Sequence, residues 1–130
     1  MGSKDKKFIV NNDKNVFDSF AKALDGFKSA YMTEYHMVIH CYFAIAIIIC
    51  GALFQISYME WLICLALIGA VIALELVNTA IEAVVNMITT DYNVYAKTAK
   101  DTSAASVLVM SIAAAVVGLI IFVPKFIELF

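Results

Sequence analysis

Two glutamates and two asparagines lie on one face of the apolar segment 73–88, which reads ALELVNTAIEAVVNMI. In a helix of roughly 100° per residue, these residues and Thr79 share one side: Glu75, Asn78, Thr79 and Glu82 fall within about one third of the circumference, and Asn86 joins them. The opposite face is apolar or small. Because ionised carboxylates are costly in hydrocarbon, they normally face a bundle interior, a cation or water. The stripe therefore predicts a functional site, and a buried polar seam that only joins helices is the alternative.

The composition is that of a membrane protein with one domain, 1–130. Hydrophobic residues make up 63% of the 130 residues, and the mean hydropathy is +0.88. A soluble domain of this size is far more polar. Arginine is absent, and every lysine except Lys125 lies within 4–28 or 97–100. These segments are not basic enough to indicate nucleic acid as a partner.

An amphipathic helix is predicted over 15–34, after a polar and mobile tail at 1–14, with Asn15 as its N-cap. Large apolar residues repeat on one side at spacings of three and four, and charged residues occupy the other. This pattern is typical of a helix lying in the membrane interface. A helix packed on the bundle, as in a soluble protein, is the alternative. The apolar side consists of Val16, Phe20, Leu24, Phe27 and Tyr31.

Three membrane spans are predicted at 37–54, 61–88 and 104–123, which makes the fold all-α and integral to the membrane. The segment 89–103 is read as a polar connection whose last residues, Asp101, Thr102 and Ser103, cap the third span. Pro124 and Lys125 are expected to end that span.

The distribution of lysines predicts the orientation. The segments 1–35 and 89–103 carry lysines and lie on one side, whereas the loop 55–60 carries none. The positive-inside rule therefore places the N-terminus and the exit of the second span in the cytoplasm. Glu34, at the start of the first span, is then on the same side as the polar stripe.

His36 and His40 have the i, i+4 spacing of a metal-binding pair. Apart from Glu34, no carboxylate accompanies them in the same turns, and Cys41 reads as a small core residue. We therefore interpret both as polar residues of the interface rather than as ligands.

Carboxylates, an asparagine and a lysine at one interface are suited to phosphate chemistry. Mg²⁺ prefers oxygen ligands, commonly one or two carboxylates together with substrate phosphates, and Glu34 and Glu82 are candidates. Glu75 lies deeper in the span, where it is a candidate general base. Lys100 is a candidate for neutralising phosphate oxygens. Neither a GxxxxGK[ST] loop nor the motifs of soluble kinases are present.

The segment ELVNTAIEAVV at 75–85, followed by AKD at 99–101, closely resembles the prokaryotic diacylglycerol kinase family, which includes undecaprenol kinases of Gram-positive bacteria. The resemblance extends over nearly the whole chain, and IIFVPK at 120–125 is similar to the Gram-positive branch. It implies a homotrimeric kinase of the bacterial cell membrane that transfers the γ-phosphate of MgATP to a lipid alcohol at sites between subunits.

The resemblance also implies roles for individual residues. Glu75 matches the family's catalytic base, and Glu34 and Glu82 match ligands of the metal and of ATP. Asn78 matches a residue near the γ-phosphate. The other residues placed in the ATP site are Lys22, Asp91, Tyr92, Asn93, Lys100 and Asp101.

Two positions depart from the family pattern. Asn86 stands where the family has aspartate, and we expect activity to survive because this position is not a matched metal ligand. Val38 stands where Gram-positive relatives often have a basic residue, which puts a lipid or phosphate contact there in doubt.

The sequence thus predicts a lipid kinase acting on undecaprenol, with diacylglycerol as the alternative substrate. Two readings of other classes remain open at this point. A small ion-coupled transporter would use Glu75 and Glu82 as a carboxylate relay, and an inactive membrane scaffold would explain Asn86.

Overall fold

A computed structural model describes residues 15–130, which form four helices and no strand. The helices are α1 (Val16–Thr33), α2 (Tyr35–Leu53), α3 (Tyr58–Ile88) and α4 (Val94–Ile127). The predicted all-α class is therefore confirmed for this part of the chain. The tail expected at 1–14 lies outside the described residues.

Three of these helices are long and apolar enough to cross a membrane, namely α2, α3 and α4. Large apolar side chains on their outer faces are exposed in the single chain, as expected for surfaces that meet lipid or other helices. The helix α1 begins as predicted, because Asn15 Oδ1 accepts hydrogen bonds from the backbone N–H groups of Phe17 and Asp18 at 2.8 and 3.1 Å. Its apolar side is also exposed at Val16, Phe20 and Leu24.

The long helix α3 is the centre of the bundle. It packs against α1, α2 and α4, whereas α2 and α4 do not pack closely against each other. Its N-terminus is fixed by a capping box, in which Ser57 and Glu60 each bind the other's backbone N–H. The turn before it brings Trp61 onto Gly51 of α2, and Ile56, Cys64 and Ile121 form a small core beside them. These contacts fix how α2 and α4 pack against the start of α3.

Two predictions about α4 were wrong. The helix begins at Val94, and Asn93 caps it by accepting hydrogen bonds from the backbone N–H groups of Tyr95 and Ala96. Residues Asp101 to Ser103 are therefore inside the helix and cap nothing. The polar composition of this stretch suggested a loop, but alanines and lysines favour a helix, and its polar residues project beyond the apolar span.

Pro124 does not end α4 either, because the helix continues to Ile127. A proline removes only one backbone donor, and in the last turn of a helix that loss interrupts little of the hydrogen-bond ladder. Beside it, Lys125 Nζ lies 3.3 Å from Glu60 Oε2 and links the end of α4 to the start of α3.

Candidate active site

The polar stripe of α3 faces the bundle interior. Glu75 and Asn78 are buried, Glu82 is half-buried, and Val77 and Val84 on the opposite face are exposed. The burial of these three residues agrees with the expectation that the stripe faces the bundle interior, whereas Asn86 at its end is exposed. Helical periodicity alone positions these side chains, because the residues are three and four apart.

Asn78 connects three parts of the site. Its Oδ1 accepts a hydrogen bond from Ser103 Oγ of α4 at 2.6 Å, and its Nδ2 donates to Glu82 Oε1 at 3.3 Å. Ser103 is buried as well, so the bond joins α3 to α4 away from water. Asn78 therefore orients the Glu82 carboxylate and ties it to a fixed point on α4.

Glu75 is the most deeply buried carboxylate in the described part of the chain, with a side chain 5% exposed. His40 of α2 approaches it, and the distance from His40 Nε2 to Glu75 Oε1 is 3.1 Å. The neighbouring Thr79 hydroxyl donates to the backbone carbonyl of Glu75 at 3.0 Å and not to its carboxylate. A buried carboxylate with a nearby nitrogen is the arrangement expected of a general base and its positioning group.

Sequence reasoning missed His40, which we interpreted as an interfacial residue. Its relation to Glu75 depends on how α2 and α3 cross, and no local spacing encodes that crossing. The only available signal was indirect: a carboxylate at this depth needs a partner, and a histidine in an adjacent apolar helix can provide one.

A cleft of about 610 Å³ lies where α3 ends and α4 begins. It gathers most of the residues that the resemblance places around the nucleotide, and it also includes Asn86. Lys100 Nζ donates a hydrogen bond to Asn86 Oδ1 at 2.6 Å, across the loop. The residues of the predicted ATP site that line the cleft are Asp91, Tyr92, Asn93, Lys100 and Asp101.

Lys97 also lines this cleft and was not predicted as a site residue. Its Nζ donates to Asp101 Oδ2, one helical turn away. The i, i+4 spacing of this pair is visible in the sequence, but it indicates a contact only within a helix, and the polar composition of this segment predicts a loop.

The remaining predicted residues lie outside the cleft. Glu34 is half-buried at the junction of α1 and α2, where it ends the first helix and precedes the second. Lys22 lies on α1 with an exposed side chain. The helix α1 packs against both α2 and α3, so this junction lies beside the bundle that carries the stripe.

Glu34 and Glu82 carry the oxygen donors that Mg²⁺ prefers. No group of three or more His, Cys, Asp or Glu side chains that could hold a metal is found within residues 15–130. Mg²⁺ bound with phosphates needs only one or two carboxylates, however, and the amide of Asn78 engages only one oxygen of Glu82. The chemistry of Glu82 and Glu34 is therefore adequate for such an ion.

An apolar cavity of about 740 Å³ is lined by residues of α2, α3 and α4. His40 lines one end of it, and Phe54 and Phe126 lie toward the other. Besides His40, Ser111 is the one residue with a hydroxyl or charged side chain among those lining it. The apolar lining of the cavity thus extends to His40, the side chain that contacts Glu75.

Comparison with known proteins identifies the family. Residues 21–122 match the family described as prokaryotic diacylglycerol kinase. The chain belongs to that family. It is 41% identical over 125 residues to the undecaprenol kinase of Bacillus subtilis, an alignment that covers 96% of this chain and 99% of that protein. It is also 33% identical over 116 residues to a diacylglycerol kinase of a Synechocystis species, covering 88% of this chain and 66% of that one.

Membership of the prokaryotic diacylglycerol kinase family makes this chain an ATP-dependent lipid kinase and a multi-pass membrane protein, as predicted. It argues against the transporter and scaffold readings, because the family's members are kinases. The similarity to the Bacillus subtilis protein also agrees with the branch that the sequence indicated.

Proposed function

We propose that this kinase phosphorylates undecaprenol. The observation that carries the proposal is the 41% identity to an undecaprenol kinase along almost its full length. The apolar cavity supports it. A polyprenol has one polar group, its terminal hydroxyl, whereas diacylglycerol also has two ester groups that lose hydrogen bonds with water when buried. A cavity with few polar side chains suits the former.

In the proposed reaction Glu75 is the general base. Its carboxylate accepts the proton of the lipid hydroxyl as the hydroxyl oxygen attacks the γ-phosphorus of ATP, and the bond from that phosphorus to the bridging oxygen of ADP breaks. The products are the lipid monophosphate, ADP and the proton held by Glu75. Burial of Glu75 keeps water away from the attacking position.

Glu34 and Glu82 are proposed to hold Mg²⁺, which would draw negative charge from the transferring phosphate. Asn78 holds Glu82 in position through its amide, and the bond from Ser103 fixes Asn78. In this role Asn78 acts on the phosphate region through Glu82.

The cleft between α3 and α4 is proposed to take the nucleotide, with Lys22 contributing from α1. Asp91, Tyr92 and Asn93 would face the adenosine. Lys100, held by Asn86, would meet phosphate oxygens as a point charge, and Asp101 would lie beside it.

We further propose a homotrimer with its active sites facing the cytoplasm. Glu34 and Glu82 are only half-buried in one chain, and carboxylates at membrane depth need further partners, which neighbouring subunits would supply. The orientation is supported by charge. Lys125, on the opposite side from the other described lysines, is paired with Glu60 and so contributes little net positive charge there.

The substrate is tested by measuring transfer of labelled γ-phosphate from ATP with Mg²⁺, using protein in lipid micelles. Undecaprenol and diacylglycerol are offered separately at equal mole fraction. We expect labelled undecaprenyl phosphate well above labelled phosphatidic acid. The opposite preference would overturn the substrate proposal and leave the kinase assignment intact.

A further inference from the structure

His40 links two features of the site, the Glu75 carboxylate and the apolar cavity. Its Nε2 lies 3.1 Å from Glu75 Oε1, and its ring lines the end of the apolar cavity. The imidazole side chain is 21% exposed, so it is partly buried and still accessible. A lipid hydroxyl at this end of the cavity would therefore lie near both His40 and Glu75.

The polar side chains of Thr79 and Asn78, which are close to Glu75 in sequence, form hydrogen bonds with other groups. Thr79 Oγ1 donates to a backbone carbonyl, and both polar atoms of Asn78 bind Ser103 and Glu82. Among the described residues, His40 is therefore the side chain that approaches the Glu75 carboxylate within ion-pair distance. A carboxylate buried to this extent is costly unless a donor or a cation compensates it.

We propose that His40 is the positioning residue of the catalytic base. By approaching Oε1 it fixes the rotation of the carboxylate and leaves Oε2 to accept the proton of the lipid hydroxyl. In many active sites the nucleophile is activated by a general base, and a third group orients that base. The inference rests on the proposed role of Glu75, but it does not depend on which lipid alcohol is the substrate.

The proposal assigns His40 a role in turnover and not in nucleotide binding. The nucleotide cleft is lined by residues of 85–101, and His40 is not among them. Loss of the positioning contact should therefore lower kcat and leave the KM for ATP unchanged. A general loss of packing would instead lower stability and disturb both constants.

Glutamine and asparagine distinguish positioning from packing. In His40→Gln the amide nitrogen occupies nearly the position of Nε2, whereas in His40→Asn the amide reaches only to the position of Nδ1. Both variants are polar and smaller than histidine, so they differ chiefly in reach. The matched controls are His36→Gln and His36→Asn, since His36 lies one turn earlier on the same helix and is exposed.

We expect His40→Asn to lower kcat by about 10–100-fold with the KM for ATP unchanged, and His40→Gln to recover most of that loss. The His36 variants should keep wild-type kcat. Equal losses in His40→Gln and His40→Asn, or wild-type kcat in both, would overturn the proposal.

The comparison is made on whichever lipid alcohol the wild-type protein phosphorylates. A preference for diacylglycerol would thus refute the substrate proposal while the test of His40 proceeds unchanged. Full activity of Glu75→Gln would refute the assignment of Glu75 as the general base, and the proposed role of His40 would fail with it.

Discussion

Ser103 Oγ donates a hydrogen bond to Asn78 Oδ1 at 2.6 Å, and both side chains are buried between α4 and α3. This bond joins residues far apart in sequence and locks the register of the two longest helices. Through the Asn78 amide it also fixes Glu82, so the same contact serves stability and the proposed metal site.

Ser103→Ala should therefore lower the free energy of unfolding by about 1–3 kcal/mol, because Asn78 Oδ1 would be left buried without its partner. Thermal unfolding in micelles measures this loss. Ser106→Ala is the matched control, since the Ser106 hydroxyl donates only to a backbone carbonyl of its own helix. Equal stability of the Ser103 and Ser106 variants would show that the interhelical bond contributes little.

Asn86 is expected to act on the nucleotide through Lys100, whose Nζ it holds at 2.6 Å. Asn86→Leu removes the acceptor, and we expect the KM for ATP to rise about threefold to tenfold with kcat little changed. Asn86→Asp restores the residue of the family pattern and keeps an acceptor, so its KM should stay close to wild type. An equal rise in both variants would contradict a role for the acceptor oxygen.

Gly51 fixes the approach of α2 to the start of α3. A Cβ added there would lie 2.8 Å from Trp61 Cη2 and 3.1 Å from the side chain of Ile56, in a region that is already packed. We expect Gly51→Ala to destabilise the protein by about 1–3 kcal/mol. A Cβ at Gly69, within α3, meets nothing within 4 Å, so Gly69→Ala should be neutral or stabilising. Thermal unfolding of the two variants measures both effects. Equal stability of Gly51→Ala and Gly69→Ala would refute the close packing of Gly51 against Trp61.

The sequence was sufficient wherever a local periodicity carried the information. The α3 stripe is periodic, so spacing placed Glu75, Asn78 and Glu82 on one face, and the cost of carboxylates in hydrocarbon indicated that this face points inward. The cap at Asn15 followed from residue type and position.

Composition misled where a helix extends beyond the apolar span. Residues 94–103 are polar and yet helical, and so the start of α4 and the Lys97–Asp101 pair were both missed. The contact between His40 and Glu75 was not predictable, because it joins different helices and depends on their crossing. The meeting of Lys100 with Asn86 likewise requires the turn at the end of α3.

The central claim is that Glu75 takes the proton of the lipid hydroxyl while Glu82 serves the nucleotide and its metal. The two glutamates lie on the same face of α3, which makes Glu75→Gln and Glu82→Gln a matched pair. The decisive measurement compares labelled phosphate transfer with the rise in thermal stability that MgATP produces.

Glu75→Gln should lose about 10²–10⁴-fold in transfer and keep the stabilisation by MgATP, because it removes only the base. Glu82→Gln should lose both. Normal transfer by Glu75→Gln, or equal loss of MgATP stabilisation in the two variants, would contradict this division of roles.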